Sequence, residues 1–98
     1  MANVYWFGGT GNWSDQANHW SNNSGNNPAS LHGAAPGSDD NVLFDANSFT
    51  DVDQVVTIDA TAYCLAMDWT GALYTPTLTI LNSKYLMFLS AVTFISSM

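Results

Sequence analysis

The sequence predicts an all-β domain, either a short parallel β-solenoid or a β-sandwich, with an aromatic Gly- and Asn-rich loop capping its N-terminal end. Composition argues this first. Val, Ile, Thr, Tyr, Phe and Trp are plentiful, while glutamate and arginine are absent and Lys84 is the only lysine, so the usual helix surface formers are missing. The apolar pattern argues it next. After residue 39 the runs "NVLFD", "QVVTID", "CLAMDW", "TLTIL", "YLMFL" and "AVTFI" follow one another, divided by small or polar residues. Within them Val56 and Ile58, Leu65 and Met67, Leu78 and Ile80, and Val92 and Phe94 alternate with their neighbours, the period of a strand with one buried face.

The N-terminal element is the stretch "YWFGGTGNWSDQANHW", with Trp6, Trp13 and Trp20 at intervals of seven. That spacing suggests heptads, but Gly8, Gly9 and Gly11 would each cost a helix about 1 kcal/mol relative to alanine. The expectation is therefore no helix here, but two short aromatic strands folded over by tight turns at Gly8-Gly9 and Gly11-Asn12. A loop follows, "SGNNPASLHGAAPGSDD", with Pro28 and Pro36. Residues 1–38 thus read as cap and loop and residues 39–98 as short strands, within a single domain of residues 1–98 that further rungs or a partner can continue. The links after residue 39 are short and lack Asn-Gly or Asp-Gly hairpin turns, which suits parallel rungs better than a meander. A sandwich would give the same strands antiparallel neighbours.

Charge excludes one class of partner. At a formal net charge of −7, with a single basic side chain, the protein cannot displace the counterions of nucleic acid. Cys64, the sole cysteine, has no partner for an intrachain disulfide and reads as a small buried residue. Met1-Ala2-Asn3 lacks the basic start of a secretory signal. The greasiest run, Tyr85 to Ile95, has 11 residues against the roughly 20 that span a bilayer, so membrane insertion is not expected.

Three groups of side chains are candidates for function. Trp6, Trp13 and Trp20 can each bury on the order of 200 Å² and hold a glycine-rich cap over the first rung; their alternative is a stacking platform for a glycan. Asp39, Asp40, Asp45, Asp51 and Asp53, interleaved with Asn41, Asn47 and Ser48, offer oxygen ligands to calcium, though without the spacing of an EF-hand. Turn-forming aspartates at strand ends are the simpler reading, and no cofactor is expected. The third group is Leu86, Phe88, Leu89, Val92, Phe94 and Ile95, joined by Met87. Alternation sends about half of these inward and the rest outward, so the run calls for protein cover and marks an assembly interface. His19 and His32 accompany no nucleophile elbow, and the chain reads as a non-enzyme.

The ordered series "YWFGGTGNWSDQANHWS", "PGSDDNVLFDANSFT", "VVTIDATAYCLAMDWTG" and "PTLTI", over roughly residues 4–80, resembles the opening module of large β-rich repeat proteins. Such modules occur in secreted bacterial surface proteins and in phage-encoded structural proteins. The resemblance implies a place outside the cell or on a virion surface and a structural or adhesive role, and it supplies no catalytic residues. The expected function is a structural subunit or module of such an assembly, of decoration or fibre type. The alternative is a carbohydrate-binding or adhesin module. The end, "NSKYLMFLSAVTFISSM", is more apolar than the resemblance leads one to expect.

Overall fold

The computed structural model describes residues 3–23 and 33–94. Their elements are β1 (Asn3–Trp6), β2 (Gly11–Asn12), α1 (Gln16–His19), β3 (Trp20–Ser21), β4 (Asn41–Leu43) and β5 (Val55–Ile58), followed by β6 (Ala62–Cys64), β7 (Ala66–Asp68), β8 (Thr77–Ile80), β9 (Leu86–Phe88) and β10 (Val92–Thr93). The protein is almost all β. The single turn of helix α1 corrects the expectation of no helix: the glycines that argue against one occupy the first Trp-to-Trp interval, and α1 lies in the second.

Three sheets share the strands, in the orders β10-β7-β4-β1-β3, β2-β5-β8 and β6-β9. From β4 onward the chain visits the three sheets in rotation, β4, β5 and β6 being followed by β7, β8 and β9 and then by β10 back in the first sheet. Each strand therefore lies beside one from the previous circuit. Every pairing is parallel except that of β1 with β3, where Tyr5 meets Ser21 and Trp6 meets Trp20. β1 and β2 supply the first strands of two of the parallel ladders, so residue 38 does not divide a cap from the strand region.

The register aligns like residues. Val4 is level with Val42, Met67 and Val92, with a step of 25 positions from Val42 to Met67 and again from Met67 to Val92. Around these lie four similar tetrads, Asn3-Val4-Tyr5-Trp6, Asn41-Val42-Leu43-Phe44, Ala66-Met67-Asp68-Trp69 and Ala91-Val92-Thr93-Phe94. Their final aromatics form a column through the centre. Trp6 lies 6.0 Å from Phe44 between ring centroids, Phe44 stacks on Trp69 at 3.6 Å, and Trp69 lies 6.3 Å from Phe94. Such contacts add about 0.5–1.5 kcal/mol per pair beyond simple burial.

One strand run divides. "CLAMDW" contributes to β6 and β7, in different sheets, with the chain turning at Leu65; the Leu65 amide donates to the Asp40 carbonyl and its own carbonyl accepts from Leu89 and Ser90. Leu65 and Met67 consequently do not share a strand face, because alternation counts across a corner only if the strand is continuous. Cys64, at the end of β6, is fully buried, and burial pushes its thiol up to about 11. A thiol reagent at mildly alkaline pH should leave folded protein unmodified and label it only as it unfolds. Rapid stoichiometric labelling under native conditions would mean that the β6 corner opens.

Candidate functional site

The first end of the stack is closed by indoles. Trp6, Trp13 and Trp20 are all buried, and they meet edge to face, Trp6 to Trp20 at 5.0 Å and Trp13 to Trp20 at 4.7 Å. The Trp6 Nε1–H donates to the Gly9 carbonyl at 2.8 Å and the Trp20 Nε1–H to the Trp13 carbonyl at 2.7 Å, so two indoles pin irregular backbone. None presents a face on which a sugar can stack.

His19, also buried, lies flat on Trp6 at 4.3 Å. Its Nδ1 is 2.7 Å from the Phe7 carbonyl, which can only accept, so the proton sits on Nδ1. Nε2 is left facing Gly11 and, at 4.0 Å, the Asp15 carboxylate. The ring needs Gly11, since a Cβ there would fall 1.9 Å from Nε2. Ser48 ties the next circuit to this cap: its hydroxyl donates to the Trp6 carbonyl at 2.7 Å and accepts from the Asp45 amide at 2.9 Å. His32 lies outside the described residues.

The aspartates do not converge. Asp40 accepts from the Gly37 amide at 2.8 Å, Asp45 from the Asn47 amide at 3.0 Å and Asp51 from the Val52 amide at 2.8 Å, each closing its own turn. The loop carrying Asp51 and Asp53 wraps the Gln54 side chain, whose carbonyl takes the Thr50 and Asp51 amides at 2.8 and 3.2 Å. Among the described residues no three acidic, histidine or cysteine side chains are close enough to hold a metal ion. Asp59 is held elsewhere. Burial acts to raise its carboxyl, but hydrogen bonds from the Ser14 hydroxyl and amide and from its own amide, with Lys84 nearby, keep it below the ordinary value. A shallow depression of about 210 Å³ on the outer face of the first sheet is lined by Asn3, Asn41, Val42, Leu43, Ala66 and Asp68. Asp68 is its single titratable group, so it offers no acid–base pair.

Among the described residues, nothing covers the far end of the stack. β10, β8 and β9 are the final strands of the three sheets and lie at the same end. Ile58 is level with Ile80, Cys64 with Phe88 and, one residue beyond the paired strands, Trp69 with Phe94; the first of each pair is 0% exposed and the second 47%, 48% and 53%. Leu86 and Val92 are half-buried against the core, whereas Leu89 is exposed. The exposed side chains of the run are not confined to the outer face. Phe88 and Phe94 point along the inner columns, and no strand of the described residues lies over them, while Met87, level with exposed Tyr63, takes the outer face. Ile95 lies outside the described residues.

Sequence reasoning missed Phe44, Phe49 and Trp69 as the centre of the core, where all three rings lie within 9° of parallel. The signal was present in the four tetrads, hidden by the unequal first interval. Comparison with protein-family models, curated proteins and solved structures finds no match in any of the three. Among the described residues no helix is long and apolar enough to cross a membrane.

Proposed function

We propose that this chain is a non-catalytic structural subunit or module of an extracellular or virion-surface assembly, of phage decoration or fibre type, folded as a short parallel β-solenoid. The observation that carries the reading is the contrast between its ends. Three indoles and the antiparallel strand β3 close the first, whereas at the other the inner columns emerge in Ile80, Phe88 and Phe94 with no cover among the described residues. An uncovered strand edge of this kind is normally paired or covered, which asks for a protein partner. The rotation of strands through three sheets and the resemblance of residues 4–80 to opening modules of repeat proteins support the same reading. The alternative is a carbohydrate-binding or adhesin module; the burial of Trp6, Trp13 and Trp20 supports the structural reading over a glycan platform made of those three indoles.

An antibody against the folded chain, used for immunogold labelling of the producing culture, should decorate particles or cell surfaces at regularly repeated positions. Label confined to the cell interior, or retention of the chain on a glycan array without any particle labelling, would sink the proposal.

A further inference from the structure

We propose that the depression on the outer face of the first sheet is a binding site for a single neutral sugar ring. The site lies within one chain, so it goes beyond the structural role and does not depend on it.

Register builds the site. Asn3, Asn41 and Ala66 are level on the neighbouring strands β1, β4 and β7, and two residues further along Leu43 is level with Asp68. The intervening Val4, Val42 and Met67 are buried on the inner side, which turns all five residues to the outer face. Neighbouring strands lie about 4.8 Å apart, and alternate residues about 6.6 Å apart along a strand, so the five frame a small patch. Ala66 contributes only a methyl group, and its shortness beside Asn41, Leu43 and Asp68 leaves the depression. At about 210 Å³ it falls below the roughly 300–1,000 Å³ of pockets for drug-sized ligands, which suits one ring and not a longer saccharide.

The polar groups are those a hydroxyl needs. The Asn41 Nδ2 donates to the Asn3 Oδ1 at 3.2 Å, which leaves the Asn41 Oδ1 to accept and the Asn3 Nδ2 to donate, side by side. A sugar hydroxyl donates and accepts at once, so it satisfies both. Asp68 takes the Thr70 amide on Oδ1 at 2.8 Å, and its Oδ2 is left for a second hydroxyl, diagonally across from Asn41. Between these corners the Leu43 side chain and the Ala66 methyl give an apolar floor for the C–H face of the ring.

Charge selects the ligand. Asp68 is the one ionised group of the site, and Lys84, the chain's only Lys or Arg, lies in the later link between β8 and β9. A sugar acid or sugar phosphate therefore meets repulsion without a counter-charge. An alkylammonium would leave the Asn3 amide donor unmatched. One ring held by two or three hydrogen bonds binds with a dissociation constant on the order of millimolar.

Nuclear magnetic resonance titration of the isotope-labelled full chain with the methyl glycosides of glucose, galactose and mannose tests the proposal. Saturable shifts are expected with at least one of the three, centred on the Asn3 and Asn41 side-chain amides and the Leu43 and Ala66 methyls. Ala66→Phe fills the depression without removing a polar group, and Asn41→Leu removes the amide pair; each should weaken binding by about tenfold or more. Thr57→Val, on the outer face of the second sheet, should leave binding unchanged, and near-ultraviolet circular dichroism of the buried tryptophans shows whether each variant keeps its fold. Methyl glucuronide should bind about tenfold more weakly than the best of the three, because its carboxylate meets Asp68. No saturable shift with any of the three, shifts centred elsewhere, or binding indifferent to Ala66→Phe overturns the proposal. So does saturable binding of butylammonium at these residues without binding of any glycoside, which would make this a cation site. None of these results bears on the structural reading, which particle labelling decides separately.

Discussion

Trp69→Ala should leave the protein largely unfolded at room temperature. Trp69 is fully buried between Phe44, stacked at 3.6 Å, and Phe94 at 6.3 Å, with Phe49 at 5.9 Å. Truncating a core aromatic costs about 3–5 kcal/mol, close to the whole stability of many small domains. Trp69→Phe is expected to behave very differently. The Trp69 Nε1–H is buried and has no hydrogen-bond partner among the described residues, so removing it relieves an unsatisfied donor while the flat contact with Phe44 is retained. The lost volume and the relieved donor offset, and the variant should unfold within about 1 kcal/mol of the parent in urea. Trp6→Phe gives the contrast, because it abandons the Gly9 carbonyl that Nε1–H now satisfies. Equal losses for Trp69→Phe and Trp6→Phe would refute this distinction.

Gly11→Ala should be nearly as damaging, by crowding. The added Cβ would lie within 2.6 Å of three atoms of the His19 ring, and that ring cannot swing aside, being stacked on Trp6 and bonded to the Phe7 carbonyl. Overpacking of this kind costs about 1–3 kcal/mol or more. Combining it with His19→Ala, which empties the contested space, should cost markedly less than the sum of the two single changes. The interaction term of that double-mutant cycle is the measurement. Strict additivity would mean that Gly11→Ala acts through the β2 backbone instead of through the imidazole.

Strand existence was legible because alternation is a local property: Val56 and Ile58 declare the inner face of β5 without reference to anything else in the chain. The corner at Leu65 was not legible, because an apolar residue at a bend looks the same as one inside a strand. The aromatic column was hidden for a geometric reason. Its members recur at 38, 25 and 25 positions, and only the pairing reveals that the long first interval contains β3 and the loop beyond it. The tryptophans announced that something must be buried, but their spacing of seven did not specify a helix; the glycines between them carried that information for the first interval alone. At the far end, composition identified an apolar excess in the last run. The direction of Phe88 and Phe94 required the register with Cys64 and Trp69, which no reading of one strand can supply.

The parallel ladders also impose an order of events on the ribosome. β1 must wait for β4, 38 positions later, and Thr10 and Ser14 for Val55 and Asp59, 45 positions later in each case. At about 5–20 residues per second of synthesis, these partners arrive roughly 2–9 s after the segment that needs them. During that interval Trp6, Trp13 and Trp20 lack the parallel strands β4 and β5 and have only the pairing of β1 with β3. Apart from Tyr5 and Phe7 beside Trp6, most of the residues between them are glycine, asparagine, serine and threonine, which solvate the nascent segment and give it little tendency to form premature strands. The composition that makes this region poor at holding a fold alone keeps it available until Val42 and Val56 emerge, so the earliest part of the chain to be made is locked in place by the middle of it.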